Sequence, residues 1–162
     1  MVTQATPEIA DRISALVHAS FNELCANDWE PNAVRVFLEE TSPLALSVAL
    51  EQPAFAAIES ERGGEPIGFI LMPRPSLVSL LFVHPAHLRK GVARRLWEAA
   101  RGHIEAAYPE TKTVELNSTP YALSAYRALG FVPISTEFAR RGCRATRMAC
   151  WLPARALGAD AL

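Results

Sequence analysis

At 162 residues, half of them hydrophobic and a fifth charged, the chain suffices for one full domain with a sizeable core and is too short for two ordinary ones; that balance argues against disorder. The 16 Lys and Arg against 17 Asp and Glu leave a formal net charge of -1, which gives no support to bulk binding of nucleic acid or an anionic membrane. No apolar run reaches the roughly 18 residues of a membrane span, the N-terminus lacks the regions of a signal peptide, and Cys25, Cys143 and Cys150 show no disulfide or zinc spacing, so a cytoplasmic, metal-free protein with free thiols is expected.

Thr6-Pro7-Glu8 reads as an N-cap, a proline at the first helical position and an acid, opening a helix with Ile9, Ile13, Leu16, Val17 and Phe21 at helical spacing. It ends near Asn27-Asp28-Trp29-Glu30-Pro31, a polar and aromatic loop. A second helical region then carries Val34, Phe37 and Leu38 on one face and runs, with a break at Ser42-Pro43, to Leu50. Beyond Pro53 the period changes. Residues 54–59 read as a strand, Glu61–Glu65 as a hairpin turn, and Pro66–Met72 as the returning strand. Leu77–Val83 is a nearly all-apolar strand of the kind expected at the centre of a sheet.

A helix over about 90–107 follows, with Ala93, Leu96, Trp97, Ala100 and Ile104 toward the core. Thr113–Asn117 is a short strand, and Pro120–Leu129 a helix closed by Gly130 as its left-handed cap. Residues 131–134 and 144–152 look like a closing pair of strands, and the Ala-rich tail 153–162 is expected to fray. The strand–helix–strand step over 77–117 implies a parallel crossover in an otherwise antiparallel sheet. The expected fold class is therefore α+β, a single domain over 1–162 with its core at about 5–152. Its sheet is mixed and mostly antiparallel, with one parallel splayed strand pair and helices on both faces.

The most informative stretch is Leu80–Leu96, where an apolar strand passes through a short basic turn and, at Gly91, straight into a helix. The first amides of a helix have no intrahelical acceptor, and the macrodipole adds positive charge there. Gly91 and Ala93 leave the backbone open to a diphosphate, while Arg89, Lys90 and Arg94 add charge on the same turn. A plain helix start after a loop is the competing reading, and for Arg95 a solvated position is favoured.

From 80 to 131 the chain resembles the GNAT superfamily of acetyl-CoA-dependent N-acetyltransferases, and the likeness extends over about 5–152. One motif is the turn Leu88-Arg89-Lys90-Gly91-Val92-Ala93; the other is Asn117-Ser118-Thr119-Pro120-Tyr121 through Tyr126 to Gly130-Phe131. Glu137-Phe138 with Gly142 and Met148 is similar to a bacterial branch of that superfamily. The resemblance implies acetyl-CoA as cosubstrate, its pantetheine arm entering where two parallel strands splay apart. Backbone groups of Leu81 and Val83 would pair with that arm, a peptide N–H of Phe82 or its neighbour would meet the thioester oxygen, and Asn117 would bond the arm from the next strand. Amides of Leu88, Arg89, Lys90, Gly91, Val92, Ala93 and Arg94 would hold the pyrophosphate. Tyr126 would protonate the departing thiolate, unless it is simply an amphipathic tyrosine packing with Ala122 and Leu129.

There are two departures from the pattern. Leu88 replaces the usual Arg or Gln, and the strand 77–83 carries no acid to act as base. His84 is one candidate base and a loop cap is the alternative; Ser79 can hold a relay water; or water alone carries the proton away. Trp29 and Glu30, with Asp28, occupy a loop that in similar proteins lines the acceptor pocket, where acids would attract a cationic amine and Trp29 would stack on it. An ordinary polar loop explains them equally. Tyr121 either faces the acceptor or covers the sheet. The reading is an N-acetyltransferase acting on a small-molecule or peptide amine by direct attack in a ternary complex, as a monomer or homodimer. Its rival is a non-catalytic acyl-CoA sensing module, and an ATP site lacks the GxxxxGK[ST] pattern.

Overall fold

The computed structural model describes residues 1–62 and 64–153; Gly63 of the hairpin turn and nearly all of the tail expected to fray lie outside the described residues. Strands β1 (Val2–Gln4), β2 (Phe55–Ser60), β3 (Pro66–Met72) and β4 (Leu80–Val83) form one sheet in that order, every neighbour antiparallel. The sequence reading did not anticipate β1, which pairs with the outer edge of β2. In the second half β5 (Thr113–Ser118), β6 (Val132–Pro133), β7 (Phe138–Arg140) and β8 (Cys143–Trp151) pair through β8, again antiparallel.

β3 explains the layering. Its side chains alternate between faces, and both faces are covered, so the strand is apolar almost throughout. Phe69 and Leu71 pack with α1 (Ala10–Leu24) and α3 (Pro43–Ala49) through Ile13, Leu16, Val17 and Leu46. Ile70 and Met72 pack on the opposite side with Leu96, Ala100 and Ile104 of α4 (Val92–Ala107). Helices thus cover both faces. α2 (Pro31–Glu40) follows the Trp29 loop, and Ser42 caps α3 by accepting from the Ala45 amide at 3.3 Å.

Of the expected parallel splayed strand pair, one bridge is present. Among the described residues the parallel contact is a single bridge, Leu77 to Glu115, made by Val78 N–H to Glu115 O at 3.0 Å and Glu115 N–H to Ser76 O at 2.8 Å. Among the described residues no ladder joins β4 to β5. Residues 77–79 are accordingly outside β4: Ser79 turns both its amide and its hydroxyl to Leu71 O, at 3.0 and 3.2 Å.

α4 lies unusually close to β3, and Gly68 is the reason. A Cβ there would stand 2.4 Å from Val92 Cγ1 and 2.8 Å from Leu96 Cδ1, so the first turn of α4 seats over a bare backbone. α4 starts at Val92, two residues later than the periodicity suggests, because Arg89 (φ 62°) and Gly91 (φ 77°) both take left-handed conformations. α5 (Leu123–Ala128) is likewise shorter, since residues 120–122 form a turn whose Ala122 amide bonds Thr119.

Candidate active site

A cleft of ≈ 510 Å³ opens where β4 and β5 part. Its walls are the C-terminal half of α1, Trp29, Phe37 of α2, residues 79–83, the start of α4, the end of β5 and one face of α5. Of the residues anticipated from sequence, Leu81, Phe82, Val83, Leu88, Arg89, Gly91, Val92, Ala93, Arg94, Asn117, Tyr126, Trp29, Ser79 and Tyr121 all line it. Lys90, Glu30 and His84 do not.

The turn into α4 leaves its amides free. The Arg95 amide donates to Gly91 O at 3.0 Å, the first bond of the helix; among the described residues the amides from Arg89 through Arg94 have no protein acceptor. Leu88 is an exception to the expected run, because its amide already reaches Pro85 O at 3.4 Å. Left-handed residues at 89 and 91 bracketing Lys90 turn successive N–H groups toward a common side, a geometry that suits an anion. The basic side chains are less free than the sequence suggests. Lys90 Nζ donates to Ala86 O at 3.0 Å and Arg94 Nη2 to Ala128 O at 3.0 Å, tying the turn to its neighbours.

Arg95, expected to be solvated, is instead a brace. Its guanidinium contacts buried Glu59 of β2 at 2.8 Å and donates to Lys90 O at 3.1 Å, fixing the back of the turn to the sheet.

Along β4, the His84 amide donates to Ile67 O at 2.8 Å. Hydrogen-bonded and free positions alternate in an antiparallel edge strand, so Phe82 also turns its backbone to β3 while Leu81 and Val83 present theirs to the cleft. The Val83 carbonyl confirms the direction: it accepts from Ser20 Oγ of α1 at 2.9 Å. The peptide N–H expected from Phe82 is therefore taken up by the ladder, and those of its neighbours are the available ones. The Phe82 ring joins the cleft wall instead.

Tyr126 is half-buried at the meeting of α5 and the core and packs edge-on to Phe131, with ring centres 5.9 Å apart. Burial raises its phenol pKa, and nearby Cys25 adds in the same direction, so the hydroxyl stays protonated through and beyond neutral pH. Cys25 also lines the cleft, with its sulfur 4.0 Å from Thr119 Oγ1. Burial raises the thiol's pKa as well, which keeps it protonated and a poor nucleophile.

Three anticipated acceptor-side residues sit elsewhere. His84 caps a 3-10 turn, its Nδ1 accepting from the Ala86 amide at 3.2 Å. Glu30 is exposed, and its amide donates to Gly142 O at 2.9 Å in the β7–β8 turn. Asp28 is exposed beside it. Ser79 does line the cleft, though its hydroxyl is engaged by Leu71 O.

What the sequence reading missed is an aromatic wall. Phe37 stacks on Phe21 at 4.1 Å, Trp29 meets both edge-on at 5.6 and 5.0 Å, and Phe82 lies 5.9 Å from Phe37. Phe21 and Phe37 carry a helical-spacing signal, but periodicity cannot say which end of an apolar stripe opens into a cleft. His87 was also missed; it lines the cleft with Nε2 3.6 Å from Glu61. Among the described residues no cluster of His, Cys, Asp or Glu can hold a metal ion, and no helix is long and apolar enough to cross a membrane.

The same architecture recurs in solved structures. The chain is similar to a GCN5-related N-acetyltransferase from Rhodopseudomonas palustris, with TM-score 0.79 and 20% identity over 94% of this chain and 95% of that one. It is also similar to PaiA N-acetyltransferase from Thermoplasma acidophilum, solved with coenzyme A, at TM-score 0.78 and 13% identity over 94% and 98% of the two chains. An aminoglycoside 6'-N-acetyltransferase complexed with coenzyme A aligns at TM-score 0.64 and 13% identity, again over 94% and 98%. At such identities these likenesses establish the fold. No curated protein matches the sequence. A family model described as an acetyltransferase (GNAT) domain matches residues 25–152, which takes in the cleft from Cys25 through β4, the α4 turn, β5 and α5. The chain therefore belongs to the GNAT family of acetyltransferases.

Proposed function

We propose that the protein transfers the acetyl group of acetyl-CoA to a primary amine by direct attack within a ternary complex. The observation that carries this reading is the run of unpartnered amides from Arg89 to Arg94, wrapped around left-handed Gly91 at the head of α4. A diphosphate satisfies those donors and meets the positive end of the helix. The pantetheine arm lies in the gap beyond the Leu77–Glu115 bridge, pairing with the free edge at Leu81 and Val83 and reaching Asn117 on the other side.

Acetyl-CoA supplies an activated thioester, and the chain's own groups position and protonate. The amine nitrogen forms the C–N bond, the C–S bond breaks, and the thiolate takes the Tyr126 proton. The peptide N–H groups beside Phe82 offer donors for the carbonyl oxygen. The ammonium proton leaves through water, since no carboxylate lines the cleft among the described residues. Raised thiol pKa values at Cys25, Cys143 and Cys150 favour direct transfer over an acetyl-enzyme.

That missing carboxylate also favours a second reading, a module that binds acyl-CoA without turnover. Mixing the protein with acetyl-CoA and an amine panel while following free thiol separates the two. Amine-dependent thiol release is expected; tight binding with no release on any amine would make the protein a sensor.

A further inference from the structure

Resting on the acetyl-transfer reading, we infer that the acceptor is a weakly basic α-amine beside an amide, carried on an aromatic or similarly apolar body. The opposite end of the cleft from the α4 turn is walled by Phe21, Leu24, Trp29, Phe37, Leu80 and Phe82. Among the described residues no Asp or Glu lines any part of the cleft, and its permanently charged side chains, Arg89 and Arg94, are cations. Neither acid considered for this wall from sequence lines it: Glu30 lies against the β7–β8 turn, and Asp28 is exposed to solvent, its charge felt at Cys25. A polycation entering this space is stripped of water and meets no counter-charge, which is costly. An aromatic body gains contact with the three half-buried rings of Trp29, Phe37 and Phe82, which fully buried Phe21 backs.

The same absence sets the basicity of the amine. Only the neutral amine attacks, and no carboxylate in the cleft strips a proton from an ammonium ion. At pH 7.5 about a third of an ordinary α-amine is neutral, against about 0.1% of a lysine-type amine. The cleft's imidazole, His87, is drawn to Glu61 on the β2–β3 hairpin. Trp29 contributes a donor: its indole N–H is buried with no acceptor among the described residues. Such groups are rare, and because Trp29 lines the cleft, a small turn of its ring would give that N–H a carbonyl oxygen next to the amine as partner.

Thiol release from acetyl-CoA at pH 7.5 would be compared for L-phenylalaninamide, L-alaninamide, Nα-acetyl-lysine and spermidine. Phenylalaninamide is expected to exceed each of the others about ten-fold or more in kcat/KM, on the order of one buried aromatic ring. Trp29→Ala should raise the KM for phenylalaninamide about ten-fold while calorimetry shows unchanged coenzyme A affinity, the check that the variant is folded. Trp29→Phe, which keeps the ring contact, should raise that KM but leave phenethylamine unaffected. Faster acetylation of spermidine or Nα-acetyl-lysine, or equal use of alaninamide, would overturn the inference and leave acetyl transfer standing. An acid limb of kcat/KM abolished by His87→Gln would assign a protein base and overturn it too. Coenzyme A binding with no thiol release from any of the four would defeat the acetyl-transfer reading and this inference with it.

Discussion

At the α4 end the cleft is made of main chain: amides from 89 to 94, the free edge of β4 at Leu81 and Val83, and left-handed turns at Arg89 and Gly91. At the α1–α2 end it is made of side chains, four aromatic rings from α1, the Trp29 loop, α2 and β4. The first region is built from one contiguous stretch, and the binding proposed for it depends on a geometry that only particular backbone conformations allow. The second is assembled from segments up to about sixty residues apart in sequence and binds by shape and polarity. A backbone cradle tolerates change in most of its side chains but not at its glycine. An aromatic wall does the reverse, and the experiments below use that difference.

The largest effect is expected at the cradle. Gly91→Glu forces a side chain onto a left-handed residue, where a Cβ would sit 2.9 Å from Arg95 Nη1, and brings a carboxylate to amides waiting for an anion. Coenzyme A affinity measured by calorimetry should fall on the order of 100-fold or more, about 2.7 kcal/mol. The aromatic wall should be indifferent, so the near-ultraviolet spectrum of its tryptophan should not change. Retained affinity would dissolve the distinction between the two halves.

Tyr126 stands between them. Tyr126→Phe removes a hydroxyl with no hydrogen-bond partner among the described residues, so stability should hold while kcat drops ten-fold or more, at the low end of a general acid's contribution of about 10²–10⁴. The raised phenol pKa fixes the sign of its pH dependence. In the proposed role the protonated form is the active one and ionisation is deferred to higher pH, so wild-type kcat should show no fall attributable to Tyr126 below about pH 10. Unchanged turnover in the variant would leave the thiolate to be protonated by water.

A smaller and more selective effect is expected from Gly68→Ala. The new methyl collides with Val92 and Leu96 and must push the first turn of α4 off β3. Overpacking of this kind costs about 1–3 kcal/mol, which should lower Tm by several degrees. Coenzyme A affinity should weaken along with it, because the turn that carries the free amides is the part displaced. The KM for an amine acceptor, read at saturating acetyl-CoA, should stay put. A variant that loses acceptor binding and keeps the coenzyme would show that α4 positions the wrong half.

These expectations follow the pattern of what the sequence could reveal. The cradle was legible because strand, basic turn, glycine and helix are consecutive, and each residue's role depends on its immediate neighbours. Central strand β3 was legible because burial on both faces writes an apolar run. β1 was not, since Val2–Gln4 is three residues whose pairing depends wholly on β2. Of the parallel crossover one bridge is present: Leu77 to Val83 is apolar except at Ser79, and the hydrogen bonds of Ser79 turn back to Leu71 and end the contact with β5. For Asp28 and Glu30 the sequence left both an acceptor wall and a polar loop open, because a loop's composition says nothing about its direction, which for Glu30 is set by its amide bonding Gly142 across the β7–β8 turn.

The least effect is expected at His84, and it completes the contrast. Its imidazole accepts from the Ala86 amide at 3.2 Å and has no place in the cleft lining, so His84→Ala removes a turn cap worth about 0.5–1.5 kcal/mol. The pH dependence of kcat/KM should be unaltered, because nothing at position 84 takes a proton from the acceptor. With no carboxylate in the cleft among the described residues either, the acid limb of that profile is expected to belong to the amine itself. Exchanging an α-amine for a lysine-type amine should move the limb upward by about 2.5 pH units, the difference between their ordinary pKa values. A limb that stays fixed as the acceptor is changed would mean that the protein, and not the substrate, decides when the amine is ready to attack.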